Sequence, residues 1–254
     1  MPDPLAAAIA RRAIACLDLT SLNDDDTDAA IARLCERAVT PAGPVAAVCV
    51  YAPFVPLCRR ALDGTGVRVC TVVNFPHGRE DAAAVAEETR AAVGDGADEI
   101  DVVLPYQAWL AGRTTAARAV LDAARAAAGD RTLKVILETG RLMTADAIAG
   151  AAEAAVAAGA DFLKTSTGKT PVSATLESTH ILLDAAAAAG RPVGVKVAGG
   201  VRTGAQAAAY LRLADRVLGG PVGPDRFRFG ASGLLDALLA TLGSPTDTPP
   251  RGGY

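Results

Sequence analysis

Histidine, aromatic residues and long apolar runs are scarce in this chain, and each scarcity excludes something. Only His77 and His180 occur, and the five cysteines form no CxxC pair, so no zinc-type ligand set stands out and no metal is expected. An odd number of cysteines at irregular spacing reads as reduced thiols, which points to a cytoplasmic protein. No apolar run reaches membrane-spanning length, and Asp3, Arg11 and Arg12 precede any apolar run, which is not the order of a secretory signal. A net charge of -3 gives no general attraction to nucleic acid or anionic lipid, so any anion site must be local. Glycines in a G-x-G-x-x-G pattern do not follow the first apolar strand, which argues against a dinucleotide fold.

What the chain does have is 254 residues, 51% of them hydrophobic, enough for one large core. Alanine-rich helical segments such as Ala123 to Ala128 and Ala151 to Ala158 alternate with short β-branched runs. Strands are predicted at Ile14–Leu19, Val45–Val50, Val67–Val73, Asp98–Leu104, Leu133–Leu137, Ala160–Lys164, Val193–Val197 and Phe227–Phe229. Eight strands alternating with helices imply a parallel sheet with right-handed crossovers. At this length, closure into a single (β/α)₈ TIM barrel over residues 1–243 is the economical solution. A doubly wound open sheet is the alternative. Residues 244–254, rich in proline and glycine, read as a mobile C-terminal tail ending in Tyr254.

Two strands each deliver a lysine to their C-terminal end, Lys164 in F-L-K-T-S-T-G-K and Lys196 in V-K-V-A-G-G-V-R. Taken alone, either lysine could merely cover apolar surface with its stem. As neighbours within about 5 Å, two ammonium groups would repel by about 3 kcal/mol at an effective dielectric near 20, which favours one neutral, nucleophilic amine. Asp101, between Ile100 and Val102, and Asp18, among apolar neighbours, are carboxylates that burial would penalise unless a cation answers them. Alternation also suggests a lower polar layer of Glu99 and Lys134, the latter sharing a face with Glu138. Cys49 reads as a small buried hydrophobe in the site wall, and His77 as a loop residue. Glycine-bearing loops follow the last three strands, at Thr165–Lys169, Ala198–Arg202 and Gly230–Gly233. With Lys169 and Arg202 they favour a phosphorylated small substrate.

These motifs resemble those of the deoxyribose-phosphate aldolase family in its bacterial form. L-D-L-T-S-L-N-D-D-D-T, E-I-D-V-V-L-P, L-K-V-I-L-E-T-G, F-L-K-T-S-T-G-K, V-K-V-A-G-G-V-R and F-G-A-S-G occur in the family's order from Asp18 onward. The resemblance implies a (β/α)₈ barrel and a class I aldolase without metal or cofactor. Its reaction cleaves 2-deoxy-D-ribose 5-phosphate into glyceraldehyde 3-phosphate and acetaldehyde. It implies that Lys164 is the Schiff-base lysine, Lys196 its partner and Asp101 the proton relay. Supporting roles fall to Asp18, Thr20 and Lys134, with phosphate or hydroxyl contacts from Gly168, Lys169, Gly199, Gly200, Val201, Arg202, Ser232 and Gly233. Tyr254 matches a tail tyrosine that assists proton transfer in some members. Val197 replaces a common proline and Gly233 a common serine, the latter removing a hydroxyl from the phosphate loop.

Two rival readings stay open at this stage: an isomerase or other lyase using a carboxylate base such as Glu138, and a phosphosugar-binding barrel without catalysis. A homodimer is one reading of apolar surface residues such as Trp109; packing of that residue on its own barrel is the other.

Overall fold

A computed structural model of the chain describes residues 3–243. The tail and Tyr254 lie outside the described residues. Eight parallel strands close into a barrel: β1 (Leu17–Thr20), β2 (Ala47–Val50), β3 (Arg68–Val73), β4 (Glu99–Val103), β5 (Thr132–Ile136), β6 (Phe162–Lys164), β7 (Gly194–Ala198) and β8 (Phe227–Ala231). Each strand pairs with its sequence neighbours, and β1 closes the ring against β8. The open sheet is thereby ruled out.

The period of two explains the wall. Outward residues such as Ile100, Val102, Leu133, Val135, Leu163, Val195, Val197, Phe227 and Phe229 are fully buried in one core beneath the helices. Val197 belongs to this outer core. The inward faces of β2 and β3 form a separate small cluster of Ala47, Cys49, Cys70 and Val72 inside the barrel, with Leu22. The other strands bring the buried charged groups Asp18, Glu99, Asp101, Lys134, Lys164, Lys196 and Arg228 into the lumen, beside Phe162.

The first strand begins later than the sequence predicts. Ile14 belongs to a helix, Pro4–Ala15, which starts where Asp3 accepts from the Leu5 amide at 3.1 Å and Pro4 fills the first turn. Apolar character alone does not separate a buried helix end from a buried strand, so Ile14 was ambiguous. A short antiparallel hairpin, Val39–Thr40 with Gly43–Pro44, was also not foreseen. Trp109 packs on the barrel's own core and lies against the helix Ala145–Ala157, where a Cβ on Gly150 would meet its ring at 3.5 Å. Packing within its own barrel accounts for its buried part. No helix of the described residues is long and apolar enough to cross a membrane.

Candidate active site

Strand register brings the two lysines together. Lys164 and Lys196 are Cα partners on β6 and β7, and Asp101 is the partner of Lys134 on β4 and β5. Partners in register point to the same side of a sheet, here the lumen. Asp101 Oδ2 accepts from Lys164 Nζ and from Lys196 Nζ, each at 2.8 Å, so the two nitrogens lie no farther apart than twice that distance. Asp101 Oδ1 accepts from Lys134 Nζ at 2.8 Å and from the Cys70 thiol at 3.2 Å.

The sequence reading weighed the repulsion of the two amines and a cation answering Asp101 separately; in the structure both lysines answer it, so the carboxylate stands between the two amines and offsets their repulsion. Burial pushes the Lys196 amine down, but Asp101 and Asp18 outweigh it and hold this lysine above the ordinary amine range, as a cation. For Asp101 burial pushes up, and Lys134, Lys164 and Lys196 together hold it well below the usual carboxylate range.

Beneath this trio lies the second layer. Asp18 Oδ2 is 2.6 Å from Lys196 Nζ, and Glu99 Oε2 is 2.6 Å from Lys134 Nζ. Arg228, which the sequence reading did not single out, joins the two carboxylates: it donates to Asp18 Oδ1 at 2.5 Å and to Glu99 Oε1 at 2.9 Å, with its guanidinium 5.4 Å from the Phe162 ring centroid. The signal for it was available, since Arg228 lies between Phe227 and Phe229 on an apolar strand and must face the other way. Two glycines make room: a Cβ on Gly194 would lie 2.2 Å from the Phe162 ring, and one on Gly230 would meet Lys196 Cε at 3.0 Å. Lys134, Lys196, Arg228, Asp18, Glu99 and Asp101 are all at most 1% exposed, and Lys164, nearest the open end, is 2% exposed.

Cys49 lines the wall as expected. The Cys70 thiol hydrogen bond pulls the Cys49 thiol down to about 7 against the effect of burial. Cys49, Cys70 and Asp101 present ligand atoms within 4.8 Å of one another. Both Asp101 oxygens already face ammonium groups, so a metal cation entering there would displace buried ion pairs. Thr20 does not reach the amines; its hydroxyl donates to the Asp18 carbonyl at 2.8 Å.

Three loops rim the C-terminal mouth. Gly168, Gly199 and Gly200 have φ of +79°, +80° and +85°, which only glycine adopts cheaply, and a Cβ on Gly199 would lie 3.6 Å from Gly168 Cα. The loops after β6 and β7 thus touch. Thr165 ties them, accepting from the Ala198 amide at 3.0 Å. Lys169 reaches across the mouth to the Leu22 carbonyl at 2.7 Å. Val201 is buried, and exposed Arg202 follows it, with its amide held by Gln206 of the Thr203–Gln206 capping box. Ser232 and Gly233 precede the helix Leu234–Thr241, whose cap Gly233 supplies no side-chain acceptor.

Glu138 sits differently from the base an isomerase would need. At φ 56° its carboxylate turns into the loop after β6, accepting from the hydroxyls of Thr167 at 2.5 Å and Thr170 at 3.1 Å. It holds the loop in place. His77 is exposed.

Comparison with known proteins agrees with this geometry. A Toxoplasma gondii structure in its apo form, provisionally named a deoxyribose-phosphate aldolase, superposes with a TM-score of 0.86 at 29% identity, covering 94% of this chain and 98% of that one. A Coccidioides immitis structure with the same provisional name gives 0.82 at 30% identity, with 95% and 88% covered. The tetrameric deoxyribose phosphate aldolase of Aeropyrum pernix gives 0.73 at 25%, with 92% and 91% covered. Residues 12–237 match the model of the DeoC/LacD family aldolases, and the chain, an aldolase barrel with a lysine-rich lumen, belongs to that family.

Proposed function

We propose that this aldolase acts through a lysine imine and cleaves 2-deoxy-D-ribose 5-phosphate reversibly to glyceraldehyde 3-phosphate and acetaldehyde. The observation that carries the reading is the unequal pairing of the buried amines. Among the described residues Lys134 faces three carboxylates and Lys196 two, whereas Lys164 pairs with Asp101 alone and is the slightly more exposed of the three. Lys164 is the amine that can leave its partner and attack an aldehyde.

In the sequence of steps we propose, the Lys164 nitrogen adds to C1 of the open-chain sugar, and loss of water gives an iminium. The C2–C3 bond then breaks, its electron pair passing to the iminium as the 3-hydroxyl loses its proton to the Asp101 carboxylate beside the Lys196 cation. That leaves glyceraldehyde 3-phosphate and an enamine on Lys164. Protonation of the enamine carbon and hydrolysis release acetaldehyde. The loops at Gly168–Lys169, Gly199–Arg202 and Ser232–Gly233 would hold the phosphate, so that binding at the distal end orients the carbonyl beside Lys164. Ser166, buried with its hydroxyl unpartnered among the described residues, offers a further donor or acceptor to a sugar hydroxyl.

The same reading makes a phosphorylated sugar and acetaldehyde the small-molecule partners. Reduction in the presence of acetaldehyde should add an ethyl group to Lys164, seen as a mass shift on its tryptic peptide. Lys164→Ala should lose both label and turnover; a variant that still cleaves the sugar phosphate would exclude the assignment.

A further inference from the structure

The buried cluster does not balance. Among the described residues four cationic side chains, Lys134, Lys164, Lys196 and Arg228, face three carboxylates, Asp18, Glu99 and Asp101, and all seven are at most 2% exposed. Surplus charge of this kind is costly in a low-dielectric interior, and the cluster relieves it most readily by binding one proton fewer than it has sites. Which group gives up the proton depends on Arg228. A guanidinium keeps its proton at any ordinary pH, so the surplus cannot be relieved where Arg228 sits. It is passed to the lysines, and Lys164 has the fewest carboxylates to hold its proton.

We propose that Arg228 is a positioning residue that primes Lys164 from a distance: its fixed charge makes the lumen one positive charge too rich, and its two bonds orient Asp18 and Glu99 so that the deficit falls on Lys164. Arg228 fixes Asp18 through Oδ1, which leaves Oδ2 for Lys196, and fixes Glu99 through Oε1, which leaves Oε2 for Lys134. Both of those lysines are thereby committed as cations. Other charged or titratable groups facing the cluster are the Cys49 thiol of β2, Arg68 and Cys70 of β3, and Cys16 ahead of β1. Arg68 touches Glu99 at 3.1 Å, but its side chain is 45% exposed and also meets Asp225 at 3.6 Å, so solvent screens it. Cys49 is the rival outlet, because a thiolate there would answer the surplus equally well.

This inference deepens the imine reading, and its test uses acetaldehyde, so that it does not depend on which sugar phosphate is the substrate. The readout is the pH at which reductive labelling of Lys164 by acetaldehyde and cyanoborohydride reaches half its maximum. Arg228→Met removes the surplus and should raise this midpoint by about one pH unit, the effect of one unit charge about 10 Å away. Glu99→Gln enlarges the surplus and should lower it by a similar amount. The double variant restores the original imbalance and should return the midpoint close to that of the wild type, a pattern that loss of packing alone would not produce. If Arg228→Met does not fold, Glu99→Gln and the double variant carry the test by themselves.

An unchanged midpoint in the folded variants, with Lys164 still labelled, would overturn the role of Arg228 and leave the imine standing. No label in the wild type would sink both. Label without cleavage of deoxyribose 5-phosphate would remove the proposed substrate and spare this inference. Repeating the series in a Cys49→Ser background should preserve the order of midpoints; a collapse of that order would place the deficit on the thiol and overturn the assignment to Lys164.

Discussion

The two faces of the barrel wall come from the same strands and have opposite chemistry. On β6, Leu163 enters the outer core while Phe162 and Lys164 face the lumen; on β7, Val195 and Val197 point outward and Lys196 inward. The outer face gains free energy from burial of apolar surface, about 25 cal/mol per Å². The inner face holds buried charges that could be replaced by apolar residues at no cost to stability, or with a gain. The difference teaches that the outer shell supports a lumen built for chemistry, and the two should respond to different perturbations.

Acid should break the comparison most completely, because it acts on all three lumen carboxylates at once. Asp18, Glu99 and Asp101 are held below their ordinary values in the folded chain: burial pushes each up, and their cationic neighbours outweigh it. Their contribution is present above about pH 4, the unfolded carboxylate range, and is lost as pH falls through the lower folded values. Lys134 and Lys196 are shifted upward, so their share is complete below about pH 10.4 and declines only above it. Thermal unfolding followed across pH should therefore show a plateau with a fall on both sides. A chain equally stable at pH 2 and pH 7 would contradict the buried ion pairs.

Asp101→Asn comes next. It keeps the shape but removes the charge shared by Lys134, Lys164 and Lys196, and kcat for sugar-phosphate cleavage should fall about 10²- to 10⁴-fold. Leu163→Ala, one residue from Lys164 but on the outer face, should cost about 2–5 kcal/mol in urea unfolding while kcat per folded molecule stays near wild type. Equal loss of kcat in both variants would erase the distinction between the faces. The smallest effect should come from Asp122→Ala, which removes an exposed helical pair with Arg118 at 2.7 Å. Unfolding should register at most about 0.5 kcal/mol and kinetics nothing.

Much of the inner face was legible in sequence. Lys164, Lys196, Asp101, Asp18, Glu99 and Lys134 each interrupt an apolar run at a position that alternation turns inward, and the structure gathers them all. Arg228 carried the same signal. The loops were legible through their glycines, although the tie from Lys169 to Leu22 joins residues 147 apart and follows from no local pattern. Glu138 misled because alternation ends where the strand ends: at φ 56° the chain has turned, and the side chain serves the loop.

By itself, the sequence determined the alternation of elements, the side of the sheet on which each ionisable group within a strand stands and the positions where only glycine fits. Those are local matters of period, sterics and backbone angle. Only the tertiary structure decided that Asp101 stands between the two amines, that Arg228 spans Asp18 and Glu99, and that four cations meet three carboxylates in one enclosed space. Electrostatic pairing depends on distances across a closed barrel, and closure sets those distances between residues far apart along the chain.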